Sequence, residues 1–371
     1  MLGCLTVHPV LRSAILCAAL LIAPVAAGAD IPVTDITGRE VTLAAPATRI
    51  VLGDARHVVV LGMIDDNPVS RIVGWRQDKA LDPARMAALR AKFPAIDDIA
   101  PVGAGNRRLS VESTIALAPD LVVLSLIDAR DPRSEQALLQ LEAAGIPVIF
   151  VDFFSHPLEN TTKSISILSR VIGGGDKAEA LVDYYETHLA TIRDRLEQAD
   201  PPRPDVFVQV HATPDQCCAT VGGGVFHDFV TAAGGHNLGA DAVPGIMGNV
   251  GLENLIAMDP DFFLASGGAH LRARDGLVLG AGIDRAEARD SFAALLAAPG
   301  LRDLRATETG NAMGFWHLFN DSPMHIALIE HLARRFHPTL FADLDPAATL
   351  REMQERFAPV SVAGTWWIDA P

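Results

Sequence analysis

The sequence predicts an α/β fold in which one long α-helix joins two lobes. The stretch from Asp176 to Gln198 has the apolar spacing of a single helical face, with glycines before it and prolines after it. On either side lie blocks of similar length that alternate short apolar runs with helical patterns, which is typical of a largely parallel sheet. A segment of the first block recurs in the second, which indicates two related lobes.

The joining helix organises the chain. Its apolar residues recur every three or four positions, and at 1.5 Å per residue it would span roughly 35 Å, the width of a small domain. Acidic residues in its first turns and Arg193 and Arg195 near its end suit the helix dipole. We therefore expect a signal peptide over residues 1–29, an N-terminal lobe over 30–175, the linking helix over 176–199 and a C-terminal lobe over 200–371.

Composition and charge exclude several classes of protein. The chain has 371 residues, 49% of them hydrophobic and 20% charged, which is a globular and not a disordered composition. Its formal net charge of −15 argues against binding nucleic acid, because the phosphate backbone attracts a basic surface. We expect a monomer with no intrinsic cofactor.

The N-terminus has the features of a cleaved secretory signal. Arg12 is its only charge, an apolar core runs from Ser13 to Ala23, and small residues precede Asp30. The core is too short for a membrane-spanning helix. We expect export to the periplasm. Lipid anchoring at Cys17 is the alternative, although no pair of small residues directly precedes it.

Two cysteines, Cys217 and Cys218, remain after the signal. An adjacent pair closes only a small strained ring and does not cross-link distant parts of a fold. Two free thiols and a vicinal disulfide both stay open.

In the first lobe, predicted strands alternate with predicted helices, as is typical of a parallel sheet. A small hairpin from Ile31 to Leu43 turns at Asp35–Gly38. Further strands are predicted at 49–52, 72–75, 101–105, 120–124 and 147–151, with helices at 58–63, 111–117, 134–144 and 160–172.

The second lobe repeats this order. Strands are predicted at 205–210, 260–265 and 311–316, with helices at 225–233, 250–258, 292–298, 323–336 and 346–357. The segment Leu109–Leu124 parallels Val250–Leu264. In each, a short helix with Glu near its start leads through Pro-Asp into a buried strand, and Glu precedes Pro by seven residues.

These pieces together resemble the class III periplasmic substrate-binding proteins of ABC importers, which bind iron–siderophores, cobalamin or haem. The matching segments run from about Asp30 to Trp367: Asp35-Ile-Thr-Gly-Arg-Glu-Val, the repeated Glu…Pro-Asp segments, the linking helix, Ala233-Gly-Gly-His-Asn237, Phe336-His-Pro-Thr-Leu-Phe-Ala-Asp343 and Gly364-Thr-Trp-Trp367. The resemblance implies two Rossmann-like lobes, one rigid linking helix, a ligand in the cleft between the lobes and delivery to a permease dimer. Iron–siderophore is the first expectation and cobalamin, haem or another metal-containing ligand is the alternative.

Ligands of parallel α/β sheets bind beyond the carboxyl ends of the strands. Basic, imidazole and aromatic side chains collect there in this sequence and suit an anionic metal chelate with an apolar flank. Neighbouring candidates are Asp54, Arg76, Gln77, Arg108, His156, Gly222–Gly224, His227, His270 and Asn320. As ligand-binding residues we select Arg56, His57, Trp75, Arg107, His211, Met247, Trp316 and His317.

Other functions fit the sequence less well. No His pair at i, i+4 and no Cys-x-x-Cys points to a bare-metal site. Haem capture in relatives often uses Tyr, but Tyr184 and Tyr185 lie on the linking helix, so only His ligation would remain. A secreted α/β enzyme is the distant alternative, since the chain has no P-loop and no Gly-x-Ser-x-Gly.

Glu112 and Glu253 occupy equivalent places in the repeated segments. Each would complement its helix dipole. In proteins that this chain resembles, glutamates at these positions pair with arginines of the two permease subunits. The resemblance therefore implies that they dock the two lobes onto the transporter.

Overall fold

The structure is a computed structural model that describes residues 1, 3, 30–77, 80–104 and 108–370. Almost all of the predicted signal peptide, together with the candidate Arg107, lies outside the described residues. Within the described ranges, no helix is long and apolar enough to cross a membrane.

The first lobe is built on a five-stranded parallel sheet. The strands of this lobe are β1 (Ile31–Thr34), β2 (Glu40–Leu43), β3 (Ile50–Leu52), β4 (Ile72–Trp75), β5 (Ala100–Pro101), β6 (Gly103–Ala104), β7 (Arg108–Leu109), β8 (Leu121–Ser125) and β9 (Val148–Val151). The helices are α1 (His57–Ile64), α2 (Pro83–Lys92), α3 (Val111–Ala116), α4 (Leu126–Ala129), α5 (Pro132–Ala143) and α6 (Pro157–Ile172). The sheet order is β5-β4-β3-β8-β9, while β1–β2 and β6–β7 are separate antiparallel pairs.

The linking helix is α7, which runs over Asp176–Ala199. It contacts α1 and α6 of the first lobe and α13 (His325–Phe336) of the second. Its buried residues are Ala178, Leu181, Tyr185 and Ile192, all on the predicted apolar face. Because both lobes pack on one helix, that helix fixes their relative position. The exact bounds of the lobes, residues 30–175 and 200–371, stay a prediction.

The second lobe repeats four strands of the first sheet and has a different fifth strand. Its strands are β10 (Asp205–Gln209), β11 (Ala219–Val221), β12 (His236–Asn237), β13 (Met247–Asn249), β14 (Phe262–Gly267), β15 (Gly280–Ala281), β16 (Ala312–Trp316), β17 (Gly364–Thr365) and β18 (Trp367–Asp369). Besides α13, its helices are α8 (Val225–Ala232), α9 (Leu238–Ala242), α10 (Leu252–Met258), α11 (Arg285–Leu296), α12 (Arg305–Glu308) and α14 (Pro346–Arg356).

The two central sheets have equivalent topologies. The second sheet has the order β12-β10-β14-β16-β18, so β4-β3-β8-β9 of the first lobe corresponds to β12-β10-β14-β16. The strands pair in parallel except β18, which runs antiparallel to β16. The predicted fold class, two Rossmann-like lobes joined by one long helix, is confirmed.

The repeated segment has the same local structure in both lobes. Ala118 and Asp259, which end the equivalent helices α3 and α10, both have a φ of 45°. The carboxylates that follow also act alike. Asp120 accepts the backbone N–H groups of residues 48 and 49, just before β3, and Asp261 accepts the N–H of Asp205, at the start of β10. The repeated Pro-Asp pair thus ties the central strand of each sheet to its neighbour.

The chain end returns to the first lobe. Lys92 Nζ of α2 donates to the carbonyl of Pro359 at 2.9 Å, and Pro359 packs against Gly62 of α1, where a Cβ would lie 2.4–2.5 Å from the proline ring. Elsewhere in the second lobe, Cys217 and Cys218 bring their sulfurs together, and Cys218 is buried.

Candidate ligand-binding cleft

A cleft of about 680 Å³ lies between the lobes. Its volume is in the range of small-molecule sites. Both walls come from the carboxyl ends of strands, as the topology predicted: Phe154 follows β9, His211 follows β10, and His317 follows β16 directly. The remaining lining residues are Arg56, Ala80–Pro83, Val210, Val221, Val225, Phe226, Met247, Ala269, His270, Leu318 and Asn320.

Three imidazoles form the second-lobe wall of the cleft. Nδ1 of His211 lies 3.0 Å from Nε2 of His270, and the rings of His211 and His317 have centroids 3.8 Å apart. His211 has a φ of 51°, a left-handed conformation that is uncommon for a residue with a side chain. Its backbone N–H donates to Oγ of Ser266 at 3.0 Å.

His317 is held from both sides. Its Nδ1 lies 2.9 Å from Oγ of Ser266, and its Nε2 lies 3.2 Å from Nδ2 of Asn320. Ser266 is fully buried at the end of β14, so one hydroxyl positions two of the three imidazoles. Both ring nitrogens of His317 thus have partners, while His211 and His270 have each other at the cleft surface.

The imidazoles are neutral at neutral pH. Burial lowers the pKa of His211 to about 4, with the neighbouring His270 and Arg274 contributing. Burial likewise lowers the pKa of His270, and it holds the pKa of His317 well below its usual value. Neutral imidazole offers a lone pair and is a good ligand for transition metals. This wall therefore presents nitrogen ligands and hydrogen-bonding groups, and its imidazoles carry no positive charge.

Arg56 lies on the opposite wall, where its guanidinium is engaged by two carboxylates. Nη1 is 2.6 Å from Oδ2 of Asp321, which belongs to the second lobe. Nε and Nη2 lie 3.2 and 3.1 Å from the two oxygens of Asp54, in the first lobe. The sequence predicted an arginine directed at the ligand. In the structure Arg56 lines the cleft and also ties the two lobes together beneath it.

A second buried arginine accompanies it. Arg85, at the start of α2, is 1% exposed, and its guanidinium lies over the rings of Trp316 and Trp366 at 5.6 and 5.7 Å. Burial lowers its pKa to about 10 and raises that of the nearby Asp82 to about 6. Trp316 is thus a packing partner of Arg85 across the lobes, beside the cleft and not on its wall.

The remaining selected residues have three different outcomes. Met247 lines the cleft with 49% of its surface exposed. His57 and Trp75 are 1% and 2% exposed and lie beneath the sheet ends: Nε2 of His57 is 3.5 Å from Oγ of Ser125. Arg107 lies outside the described residues. The structure brings together Arg56, His211, Met247 and His317, and it leaves His57, Trp75 and Trp316 off the cleft wall.

Several lining residues were not selected from the sequence. His270 was noted only as a strand-end residue, and its pairing with His211 depends on a contact across 59 positions. Phe154 and Phe226 carried no signal beyond their residue type, because apolar residues near strand ends are as common in cores as in clefts. Asp82 directly precedes α2 and follows no strand directly, so it was not a strand-end candidate. The position of Phe154 three residues after a buried strand was the one available clue.

Glu112 and Glu253 lie on the exposed faces of α3 and α10, outside the cleft. Both tyrosines lie on α7, also away from it: Tyr185 OH is 2.7 Å from Nε2 of His325, and Tyr184 OH is 3.3 Å from the carbonyl of Thr349. Among the described residues, no three or more His, Cys, Asp or Glu side chains are arranged to hold a metal ion.

Comparison with known proteins identifies the family. A family model described as periplasmic binding protein matches residues 75–313, more than half of the chain. The chain belongs to the periplasmic binding protein family. No curated protein sequence matches it significantly.

Solved structures of similar fold agree with this assignment. The TroA-like periplasmic binding protein FepB from Veillonella parvula is 26% identical, with a TM-score of 0.81 over 92% of this chain and 100% of that one. The molybdate-binding MolA of Haemophilus influenzae is 19% identical, with a TM-score of 0.65 over 90% and 99%. CeuE of Helicobacter pylori, solved with a Ni–His complex, is 17% identical, with a TM-score of 0.63 over 88% and 95%.

Membership fixes the general function. This periplasmic binding protein is a solute-binding protein of an ABC transporter and not an enzyme. The family implies a periplasmic location, a small-molecule ligand and a permease partner.

Proposed function

We propose that this protein captures a metal chelate, in the first place an iron–siderophore, in the cleft between its lobes and delivers it to an ABC importer. The paired imidazoles of His211 and His270 are the observation that carries the proposal. They are neutral, exposed to the cleft and suited to a metal.

The spacing of the two nitrogens, which a hydrogen bond sets in the free protein, also suits a metal that takes the place of the shared proton. Two nitrogens bound cis to one metal, each at about 2.0–2.1 Å, would be roughly 2.9 Å apart. Nδ1 of His211 and Nε2 of His270 are 3.0 Å apart. Two protein ligands fill only two positions of an octahedral metal. The chelator would then supply the other four, so the proposed ligand is a chelate that leaves two adjacent positions open.

The other side chains of the cleft suit the organic part of such a ligand. Phe154 and Phe226 offer flat apolar surfaces from opposite lobes, and Met247 adds a flexible apolar side chain at the edge. Arg56 would attract the negative charge of the chelate, although Asp54 and Asp321 already offset much of its own charge. The cleft thus recognises shape and metal coordination more than charge.

A binding screen with matched variants tests the proposal. Purified protein is titrated with ferric chelates that differ in the number of open positions, with haem, cobalamin and free metals, by tryptophan quenching and thermal shift. We expect His211→Ala and His270→Ala each to weaken a four-coordinating ferric chelate by at least about tenfold, the loss of roughly one hydrogen-bond-strength contact to a charged group. A chelate with no open position should be affected less.

His236→Ala is the control, because His236 is an exposed histidine paired with Asp205 and Asp241 at the far edge of the sheet. Equal affinity in wild type and in both cleft variants would contradict metal coordination by this pair.

Haem is the second candidate, favoured by the same imidazoles and by the aromatic side chains on both walls. Its binding would give a strong Soret band that shifts in the His211→Ala variant. Cobalamin remains in the screen as another metal-containing ligand that the family resemblance implies.

We further propose that Glu112 and Glu253 dock the two lobes onto the two permease subunits. Charges at the edge of an interface mainly set association rate and orientation. Glu112→Arg together with Glu253→Arg should leave ligand affinity intact and abolish transport. Full transport by a correctly folded double variant would leave these residues only their favourable interaction with the helix dipole. We also expect cleavage of the signal peptide on export.

A further inference from the structure

Isoleucines repeat on the surface of both lobes. Exposed large apolar side chains are few among the described residues: Met1, Ile115, Leu139, Met247 and Ile256. Met1 belongs to the predicted signal, and Met247 lines the cleft. Two of the other three, Ile115 and Ile256, occupy equivalent positions, three residues after Glu112 and Glu253.

The equivalence extends to the surface pattern of the whole segment. From residue 111 to 121 and from 252 to 262, each pair of corresponding residues falls in the same class of buried, half-buried or exposed. Ile115 is 39% exposed and Ile256 is 48% exposed, whereas the preceding residues Thr114 and Leu255 are fully buried. In each helix, therefore, the preceding side chain packs into the core and the isoleucine lies on the surface.

A glutamate and an isoleucine three residues apart lie on one face of a helix. Neither α3 nor α10 contains a basic residue, so each face presents one carboxylate beside one apolar side chain. A partner that matches this face must offer a cation beside an apolar surface. Each lobe presents one such face, so the partner must offer the matching surface twice.

We propose that Ile115 and Ile256 are paired apolar anchors that insert into equivalent pockets of the two permease subunits, each next to the basic residue that faces Glu112 or Glu253. This inference rests on the proposed function as part of an ABC importer. The carboxylates would steer and orient the protein, and the isoleucines would hold it. A two-fold symmetric membrane partner fits the duplicated faces.

A lipid surface is the competing occupant. An exposed isoleucine inserts into a bilayer readily, but the adjacent carboxylate and the net charge of −15 oppose approach to an anionic membrane. The charge of the patch therefore favours a basic protein surface.

The test replaces both anchors and keeps both acids. Cells of the source organism carry Ile115→Ser and Ile256→Ser on the chromosome, and uptake of the radiolabelled chelate found in the binding screen is measured. We expect uptake at limiting chelate to fall about tenfold or more, as for loss of apolar anchors from an interface centre. Each single substitution should give a smaller loss, and chelate affinity and melting temperature of the purified variants should stay at wild-type values.

Leu139→Ser is the matched control. Leu139 is more exposed than either isoleucine, at 59%, and lies on α5, outside the repeated segment. It should transport like wild type. If serine at 115 or 256 lowers stability, Ile115→Ala with Ile256→Ala is used for the uptake measurement, because alanine favours the helix. Wild-type uptake by a folded double variant would overturn the proposal.

Two further measurements separate the alternatives. A benzophenone amino acid at position 115 or 256, but not at 139, should cross-link to a permease subunit identified by mass spectrometry, a readout that needs no knowledge of the ligand. Co-sedimentation with permease-free vesicles of phosphatidylcholine and phosphatidylglycerol should show no binding. Vesicle binding that the isoleucine variants lose would overturn the proposal in favour of a lipid surface.

Discussion

His211 shows how one residue position determines the chemistry of the cleft. Its left-handed backbone at the end of β10 places the imidazole beside His270, and its N–H is fixed by the same Ser266 hydroxyl that holds His317. Burial then keeps all three rings neutral at the pH of the periplasm. At the residue scale, the cleft wall is a set of neutral, hydrogen-bonded imidazoles, and its response to pH follows from that.

Chelate binding should be insensitive to pH across the normal titration range of histidine. Because burial lowers the pKa of His211 to about 4, the ring stays neutral as pH falls from 7.5 to 5.5 and is protonated only near pH 4. Affinity should therefore stay constant over the first interval and fall below it. The measurement is a titration at each pH with a chelate whose absorption spectrum shows that it stays intact. Affinity that rises as pH drops through 6.5 would instead indicate recognition by charged imidazolium.

The free energy of unfolding, in contrast to ligand affinity, should depend on pH near neutrality through Asp228. Burial and the neighbouring Asp152 raise its carboxyl pKa to about 7, so the folded protein keeps a proton that the unfolded chain loses near 3.8. The cost to the folded state grows as pH rises from 4 to 7 and is constant above that. Asp228→Asn should increase the free energy of unfolding at pH 8 by about 1 kcal/mol, after allowance for partial solvent exposure, and should change little at pH 4.

Urea denaturation at both pH values measures this effect, with the exposed Asp183→Asn as control. A stabilisation of equal size at pH 4 would show that the gain does not come from the carboxyl group.

At the scale of elements, α7 is held to the second lobe by polar contacts as well as by its apolar face. Tyr185 OH lies 2.7 Å from Nε2 of His325 in the fully buried interface with α13, and Nδ1 of His188 pairs with the buried Glu330 one turn later. These hydrogen-bonded pairs fix how α13 is rotated relative to the linking helix. Apolar packing alone would define that rotation less precisely.

Tyr185→Phe should lower the free energy of unfolding by about 1–3 kcal/mol, because it leaves the buried His325 without its partner. Tyr184→Phe is a matched control on the same helix. Its hydroxyl is half-buried, with contacts of 3.3 and 3.4 Å, and its loss should cost less than about 0.5 kcal/mol. Thermal and urea denaturation of both variants would test this, and equal losses would show that the buried pair adds no specific stability.

The sequence could predict those elements whose own residues show a recognisable pattern. The linking helix has capping glycines, dipole-matched charges and a complete apolar face, and it matches the structure over Asp176–Ala199. The parallel strands were recognisable as continuous apolar runs. By contrast, β17 and β18 contain two and three residues and exist through their pairing with β15 and β16, far away in sequence. The pairing of His211 with His270 belongs to the same class, since only the fold brings them together.

At the scale of the whole molecule, the lobes touch through more than the linking helix. The start of α2 packs against β15: a Cβ on Gly282 would lie 2.6 Å from that of Ala84, and Asp82 accepts the N–H of Ala281 at 3.4 Å. Arg56 bridges Asp54 and Asp321, and Lys92 reaches Pro359. One helix with several cross-lobe contacts permits only small changes of cleft width, so small-angle scattering with and without ligand should differ little.

The bridge at Arg56 is the cross-lobe contact with the largest expected effect. Its side chain is 9% exposed, and both carboxylates that it contacts are at most 5% exposed, so its removal takes a close cation away from two buried acids. Breaking a buried ion pair from one side costs about 3–5 kcal/mol, whereas an exposed pair contributes less than about 1 kcal/mol. Arg56→Ala should therefore destabilise the protein strongly and increase the change in scattering on ligand binding, because the lobes lose a tie.

Arg90→Ala is the control for this last prediction, since Arg90 forms an ion pair with Asp97 in which both side chains are about half exposed. It should be nearly neutral in urea denaturation and in scattering. Arg56→Ala with Asp321→Ala should recover part of the loss, because the second substitution removes one of the two buried acids that Arg56 contacts. If Arg56→Ala proves as stable as Arg90→Ala, the bridge does not hold the lobes, and the orientation of the cleft walls then rests on α7 and on the contacts of α2 with the second lobe.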